Sequence, residues 1–239
     1  MTRGPARPQD RGPGGDPSAW PWRGWRAPGS KETKVDVTDG GSDVPTWRPF
    51  ERETLERLGA PASALDALAR QGLPDNAFEV YVREPARELA LAELPECGQA
   101  VFLGRYTDDW NTYWLRLADG SVWMRWGMLD QPAESTQRIN TSVASFQAVL
   151  SAWCGLKSSG IDETDEEAYE DLVAATIVRA VSADPQIFAD GESWWPVFFE
   201  ELEYTLPRAV AGDLPLYQLV RQDESGQWIL EHPGYDDES

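Results

Sequence analysis

Side chains that do chemistry near neutral pH are scarce here: 239 residues carry one histidine, His232, and two cysteines, Cys97 and Cys154. The histidine stands in His232-Pro233-Gly234 beside the chain end, where an exposed terminal imidazole is expected rather than a general base. It is the only imidazole that either cysteine could pair with, and Cys154 follows a core tryptophan on an apolar helix, where a buried thiol is inert. Two cysteines make neither a metal cluster nor a disulfide framework. The sequence holds no phosphate-cradling Walker loop, no dinucleotide glycine fingerprint after a strand, no nucleophile elbow and no His-Glu-x-x-His. Adjacent carboxylates do occur, at Asp108-Asp109, Asp162-Glu163 and Glu200-Glu201. They fall in loops and on helix faces without a histidine beside them, so solvation is expected of them rather than acid–base or metal work. No apolar run approaches membrane-spanning length and no hydrophobic signal core follows the early arginines. The expectation is a non-enzymatic, cytoplasmic protein without cofactor or metal.

What the chain has in excess is negative charge. It carries 41 Asp and Glu against 21 Lys and Arg, a net charge of -20. Residues 1–48 hold eight of the basic and six of the acidic residues, so the remainder is near -22. From Asp162 to Glu203 there are thirteen acidic residues against the single Arg179. Such a field opposes binding to DNA or to an anionic membrane and steers a basic protein inward. Acidic surfaces also serve solubility alone.

Composition changes near Thr46. The stretch before it is rich in Gly, Pro and Arg with almost no aliphatic residues, too little to offset the entropy of folding. Residues 1–45 are therefore expected to be a disordered leader, residues 46–234 one domain, and residues 235–239 a frayed acidic tail. The island Trp20-Pro21-Trp22-Arg23-Gly24-Trp25-Arg26 reads as a solvated tail, with a docking or base-stacking segment as the alternative.

Within the domain, Phe50 to Ala60 and Pro61 to Gln71 read as two short helices burying Leu55, Leu58, Leu65 and Leu68. Phe78 to Val82 alternates as a strand would, and Gln99–Tyr106 is a second strand candidate. Asp119-Gly120 predicts a two-residue hairpin turn. That register faces Leu117 to Val122, Leu115 to Met124 and Tyr113 to Trp126 on a core side. On the other side it faces Arg116 to Trp123 and Trp114 to Arg125, two guanidiniums over two indoles. Any residue of Asn140-Thr141-Ser142 could cap the helix that follows, whose stripe is Val143, Phe146, Val149, Leu150 and Trp153. A second long helix is expected with Thr164 as cap and Glu167 as its capping-box partner, ending at Asp184-Pro185. A last helix spans Ser193–Leu206, with Trp195, Phe198, Phe199 and Leu202 inward. Leu216–Arg221 and Gln227–Leu230 read as terminal strands. This order predicts an α+β domain, an antiparallel twisted sheet with helices packed on one face.

The succession Val101-Phe102-Leu103-Gly104-Arg105, Tyr113-Trp114-Leu115-Arg116-Leu117 with Asp119-Gly120 and Val122-Trp123, and Ile139-Asn140-Thr141-Ser142 with Phe146 and Leu150, resembles the fourth group of the SUKH superfamily. Trp194-Trp195-Pro196-Val197-Phe198-Phe199-Glu200-Glu201-Leu202-Glu203 is similar to that group's closing helix. With Leu73-Pro74 the resemblance covers roughly Leu58 to Leu206. The group consists of bacterial immunity proteins, so the resemblance implies a partner that is a cognate toxin acting on nucleic acid, such as a nuclease or deaminase. A domain of this charge would fit the basic cleft of such an enzyme, with aromatic anchors fixing affinity. Candidate partner-binding residues are Asp108, Asp109 and Trp110 at a strand connection and Glu163, Glu166, Glu170 and Asp171 on the acidic helix. The alternative function is a regulatory scaffold using the same fold with the Trp/Arg leader as a second contact.

Overall fold

The computed structural model describes residues 44–78, 80–107, 110–129, 131–161, 165–203 and 215–231. The chain divides into two units, residues 1–41 and 42–239, and the first lies wholly outside the described residues, as does most of the expected leader. The second unit is α+β, with a five-stranded antiparallel sheet and helices against one face.

The unit opens with β1 (Trp47–Arg48), α1 (Arg52–Arg57), α2 (Ala62–Arg70) and β2 (Leu73–Pro74), and β1 pairs with β2. Leu55, Leu65 and Leu68 are buried as expected, whereas Leu58, which closes the single-turn-and-a-half α1, is only half-buried. Gly72 turns between α2 and β2 with φ at 72°. A β-carbon there would stand 1.7 Å from the Arg48 carbonyl oxygen, so no other residue fits.

Phe78 to Val82 is a correction. Phe78 has φ at 44°, Ala77 N–H donates to the Tyr81 carbonyl at 2.7 Å, and among the segment's described residues only Val82 makes single bridges, to Asn76 and Arg105. The segment is a turn that delivers Tyr81 into the core, where its hydroxyl donates to the Leu103 carbonyl at 2.6 Å. Val80 and Tyr81, neighbours in the chain, are both buried, so the apolar residues there mark burial in a turn rather than one face of a pleat.

The sheet comprises β3 (Leu91–Leu94), β4 (Gly98–Arg105), β5 (Asn111–Arg116), β6 (Val122–Trp126) and β7 (Ser135–Asn140), paired in chain order. Each strand joins its neighbour through a short connection, as an antiparallel meander allows. A bulge between Phe102 and Gly104 sets Gly104 beside Tyr113. A β-carbon at Gly104 would lie 2.5 Å from the Tyr81 ring, so glycine admits the tyrosine.

The β5–β6 hairpin keeps the expected faces but not the expected register. Leu115 pairs with Val122, Tyr113 with Met124 and Trp114 with Trp123, a slip of two residues from the two-residue turn. The loop is Leu117–Gly120, closed by Arg116 N–H on the Ser121 carbonyl at 2.9 Å and Gly120 N–H on the Arg116 carbonyl at 3.0 Å. Only Gly120 takes the left-handed conformation, at φ 80°. A type I′ turn needs both central residues there. Asp119 instead accepts from the Ser121 amide and hydroxyl at 3.0 and 2.6 Å and pairs with Arg116 at 3.2 Å. A slip of two leaves side-chain parity unchanged, so Tyr113, Leu115, Val122 and Met124 remain fully buried on the core face.

That face packs under α3 (Val143–Lys157), with the Tyr113 and Phe146 rings 5.4 Å apart. Ser142 is the cap: its hydroxyl accepts from Ser145 N–H at 3.1 Å and the Ser145 hydroxyl accepts from Ser142 N–H at 3.2 Å. Val143, Phe146, Val149, Leu150 and Trp153 are all buried, each burial worth roughly 1.5–3 kcal/mol for the larger side chains. Gln147 crosses to the end of α2, donating to the Ala67 and Gly72 carbonyls at 3.1 and 2.7 Å.

α4 (Glu166–Ala183) runs back along α3. Its cap is Asp165, which accepts from Ala168 N–H at 3.4 Å, and not Thr164, which lies outside the described residues. The shift of one residue puts Ala168 at the third helical position and removes the capping box. Val173, Thr176, Ile177, Ala180 and Val181 are buried; Ala168 and Leu172 are half-buried. α5 (Pro185–Phe188) and α6 (Trp194–Glu203) follow, with Trp195 and Phe199 fully buried and Phe198 and Leu202 half-buried. Leu216–Leu219 forms a 3-10 turn rather than a strand, before the hairpin of β8 (Val220–Gln222) and β9 (Trp228–Leu230), which packs on α4.

The other face of the sheet carries Phe102, Trp114, Trp123 and Arg116. The chain covers much of it itself: Leu94 at the end of β3 and Cys97 in the β3–β4 turn cluster with Ala100, Phe102 and Trp114, and Leu129 packs against them. The Thr136 hydroxyl on β7 donates to the Pro95 carbonyl of that turn at 2.5 Å. Of the two expected cation–π pairs one forms, Arg116 over Trp123 at 5.6 Å. Arg125 instead turns to backbone oxygens, because in the true register Thr112 and not Trp114 stands across from it.

Candidate partner-binding surface

Trp110 immediately precedes β5. Asn111 pairs with Trp126, so Trp110 just before β5 and Gly127-Met128 just after β6 lie at the same end of the hairpin. Trp110 is 39% exposed and Met128 38%, two of four large apolar side chains so open among the described residues. The loop bearing Met128 is held from beneath. The Arg125 side chain, 4% exposed, donates to the carbonyls of Gly127, Met128 and Gln131. A buried guanidinium bound to three carbonyls fixes the loop before any partner arrives, which lowers the ordering cost of binding.

The acidic helix points to the same end. Late α3 lies over the Arg105 end of β4: the Trp153 indole donates to the Ala77 carbonyl at 3.2 Å, next to the bridges joining Asn76, Val82 and Arg105. Arg105 pairs with Thr112, two residues from Trp110. α4 returns along α3, and Asp184 just past its far end binds the opposite end of β7. The first turn of α4 therefore faces the end of the sheet from which Trp110 emerges. Glu166 and Asp171 are exposed there and Glu170 is half-buried. Asp108, Asp109 and Glu163 lie outside the described residues, as do Asp130 and Asp162. Asp165, Glu166 and Glu167 occupy the helix end where the backbone dipole is positive, which stabilises the local concentration of charge.

At the opposite end lies a polar cluster that sequence reasoning took only for a helix stop. Asp184 is 2% exposed. It accepts from Asn140 Nδ2 at 3.1 Å, Thr141 N–H at 2.7 Å, Thr141 Oγ1 at 3.0 Å and Ser145 Oγ at 2.7 Å. Asn140 in turn accepts from the Trp195 indole at 2.8 Å. The cluster joins β7, the start of α3, the end of α4 and α6, and its carboxylate is saturated, so it serves as a structural joint.

Cys97 and Cys154 are buried and free. Burial pushes both thiols up to about 11. Asp119 is held below the ordinary carboxylate value: partial burial works against ionisation, but the Ser121 hydrogen bonds and the nearby Arg116 outweigh it. Among the described residues no three His, Cys, Asp or Glu side chains cluster as a metal site. His232 lies outside them. No described helix is long and apolar enough to cross a membrane.

A family model for SUKH-4 immunity proteins matches residues 40–201. The chain belongs to that family. It covers the β1–β2 ladder, the whole five-stranded sheet and the helices through most of α6, so the fold expected from the motifs is the fold present. Membership of a SUKH-4 immunity family points to toxin neutralisation and implies a cognate toxin as partner. No curated protein and no solved structure matches the chain.

Met128 was missed because nothing local marks it; only the strand register puts it at the same end of the hairpin as Trp110. The β8–β9 hairpin lies beyond the matched residues and the pocket it forms with α4 and α5 could not be read from periodicity at all.

Proposed function

We propose that this SUKH-4 protein is a non-enzymatic inhibitor that binds and occludes a cytoplasmic toxin domain of the nuclease or deaminase class. Its binding surface is the end of the sheet where Trp110 and Met128 are exposed, together with Glu166, Glu170 and Asp171 of α4; Asp108, Asp109 and Glu163, outside the described residues, join it on the strength of their place in the sequence. The observation that carries this reading is that two exposed apolar side chains, Trp110 and Met128, and the first turn of α4 lie at one end of the domain. Enzymes acting on nucleic acid present positive clefts to a polyanion, and a surface of opposite charge both steers encounter and competes with that substrate. Trp110 supplies the large, rigid area typical of an interface anchor.

The test is expression of the adjacent reading frame inside the cell with and without this chain. A stoichiometric complex that restores growth supports the reading. Absence of both complex and rescue overturns it, and shifts weight to the scaffold alternative, which expects cellular partners dependent on the Trp20–Arg26 segment.

A further inference from the structure

Beyond the residues shared with the family, the 3-10 turn and the β8–β9 hairpin close a pocket against the end of α4 and α5. It is a cavity of about 360 Å³ lined by Val181, Pro185, Phe188, Gly191, Tyr217 and Trp228, with Gln218 at its polar side. Three aromatic rings from separate elements meet there; Phe188 and Tyr217 lie 6.4 Å apart and tilted. Gly191 forms part of the wall, where a β-carbon would come 3.1 Å from the Tyr217 hydroxyl. The residues on either side of it, Asp190 and Glu192, are exposed carboxylates. The nearby cation Arg221 is already paired with Glu231 across the hairpin.

We infer that this pocket receives an arginine side chain of the protein partner, a second contact remote from Trp110. An aromatic lining suits both a guanidinium and its apolar stem, and the exposed carboxylates that neighbour Gly191 in the chain favour a cation over a neutral group. Arginine is among the residues that dominate interface energetics, and a domain near -22 selects a partner rich in it. The inference rests on the reading above that the partner is a basic protein, and adds a specificity element completed by Tyr217, Gln218 and Trp228, which lie beyond the family match.

The test uses the full-length chain and two neutral-ended probes, N-acetyl-arginine-N-methylamide and N-acetyl-norleucine-N-methylamide, with the Trp228 indole N–H resonance as readout, assigned by Trp228→Phe. Saturable binding of the arginine probe at millimolar concentration is expected, at least tenfold tighter than the norleucine probe. Gly191→Leu should abolish it. Asp190→Asn with Glu192→Gln, two exposed changes that leave the core alone, should weaken it several-fold in low salt. No saturable shift, equal binding of both probes, or full binding by both variants overturns the inference. None of these outcomes touches the growth-rescue experiment, so failure of the pocket and failure of the immunity reading are told apart.

Discussion

At one end of the five-stranded sheet a carboxylate, Asp184, is 2% exposed and takes hydrogen bonds from four donors; at the other a tryptophan, Trp110, keeps 39% of its surface in water. The usual preference is inverted at both places. A polar group goes inside when every lone pair finds a donor, and there it fixes how four elements meet. A large apolar group stays outside when its neighbourhood is rigid without it, as the Arg125-anchored loop makes possible. Under the proposed function, stability and recognition fall to opposite ends of the domain, so mutations at the two ends should separate cleanly.

The sharpest way to break that comparison is Asp184→Ala. It leaves the buried donors of Asn140, Thr141 and Ser145 without their acceptor, and about 3–5 kcal/mol of unfolding free energy should be lost in urea titrations. A loss under about 1 kcal/mol would mean the cluster is not the joint described here. Next in size is Trp110→Ala. Affinity for the cognate toxin should fall by about 2 kcal/mol or more in calorimetry, as for an interface anchor, while the urea midpoint stays put. An unchanged affinity would move the interface elsewhere.

Reversing Glu163, Glu166 and Glu170 to lysine sharpens the same contrast kinetically. Stopped-flow association should slow several-fold at low salt and little at high salt, because the steering field is screened within about 10 Å at 0.1 M. Equal slowing at both salts would argue against steering. The smallest effect concerns the core. In the unfolded chain the two thiols ionise near their ordinary value of 9.0, while in the fold burial holds them to about 11. The protein should therefore keep this part of its stability below pH 9 and lose it as pH rises toward 11, a dependence that Cys97→Ala with Cys154→Ala should reduce. At pH 8 neither native thiol should react with a disulfide reagent until the chain unfolds.

The α3 stripe and the two faces of the β5–β6 hairpin were legible because each depends on a local period, 3.6 or 2, that a register error of two residues leaves intact. Register itself was not, since Asp119 uses its carboxylate on Ser121 and Arg116 and so favours a four-residue loop over the tighter turn. Phe78 to Val82 misled for a related reason: apolar residues record burial, and a turn that inserts Tyr81 beside Gly104 buries the consecutive Val80 and Tyr81 with only the single bridges of Val82 for pairing. Asp184 was illegible in principle, its partners being 39 to 44 residues away in the chain. At the candidate surface Trp110, Glu166, Glu170 and Asp171 could be named from charge and loop position. That Met128 lies at the same end of the hairpin as Trp110, and that α4 begins at that end, follows only from strand pairing and the path of the helices.

Hydrogen–deuterium exchange of the full chain, alone and bound to the cognate toxin domain, tests the central claim most directly. The account predicts new protection in residues 107–112, 127–131 and 165–172, with the segment around Asp184 already protected in the free protein and unchanged. Protection confined to other segments, with 107–112 and 127–131 exchanging as before, would contradict it.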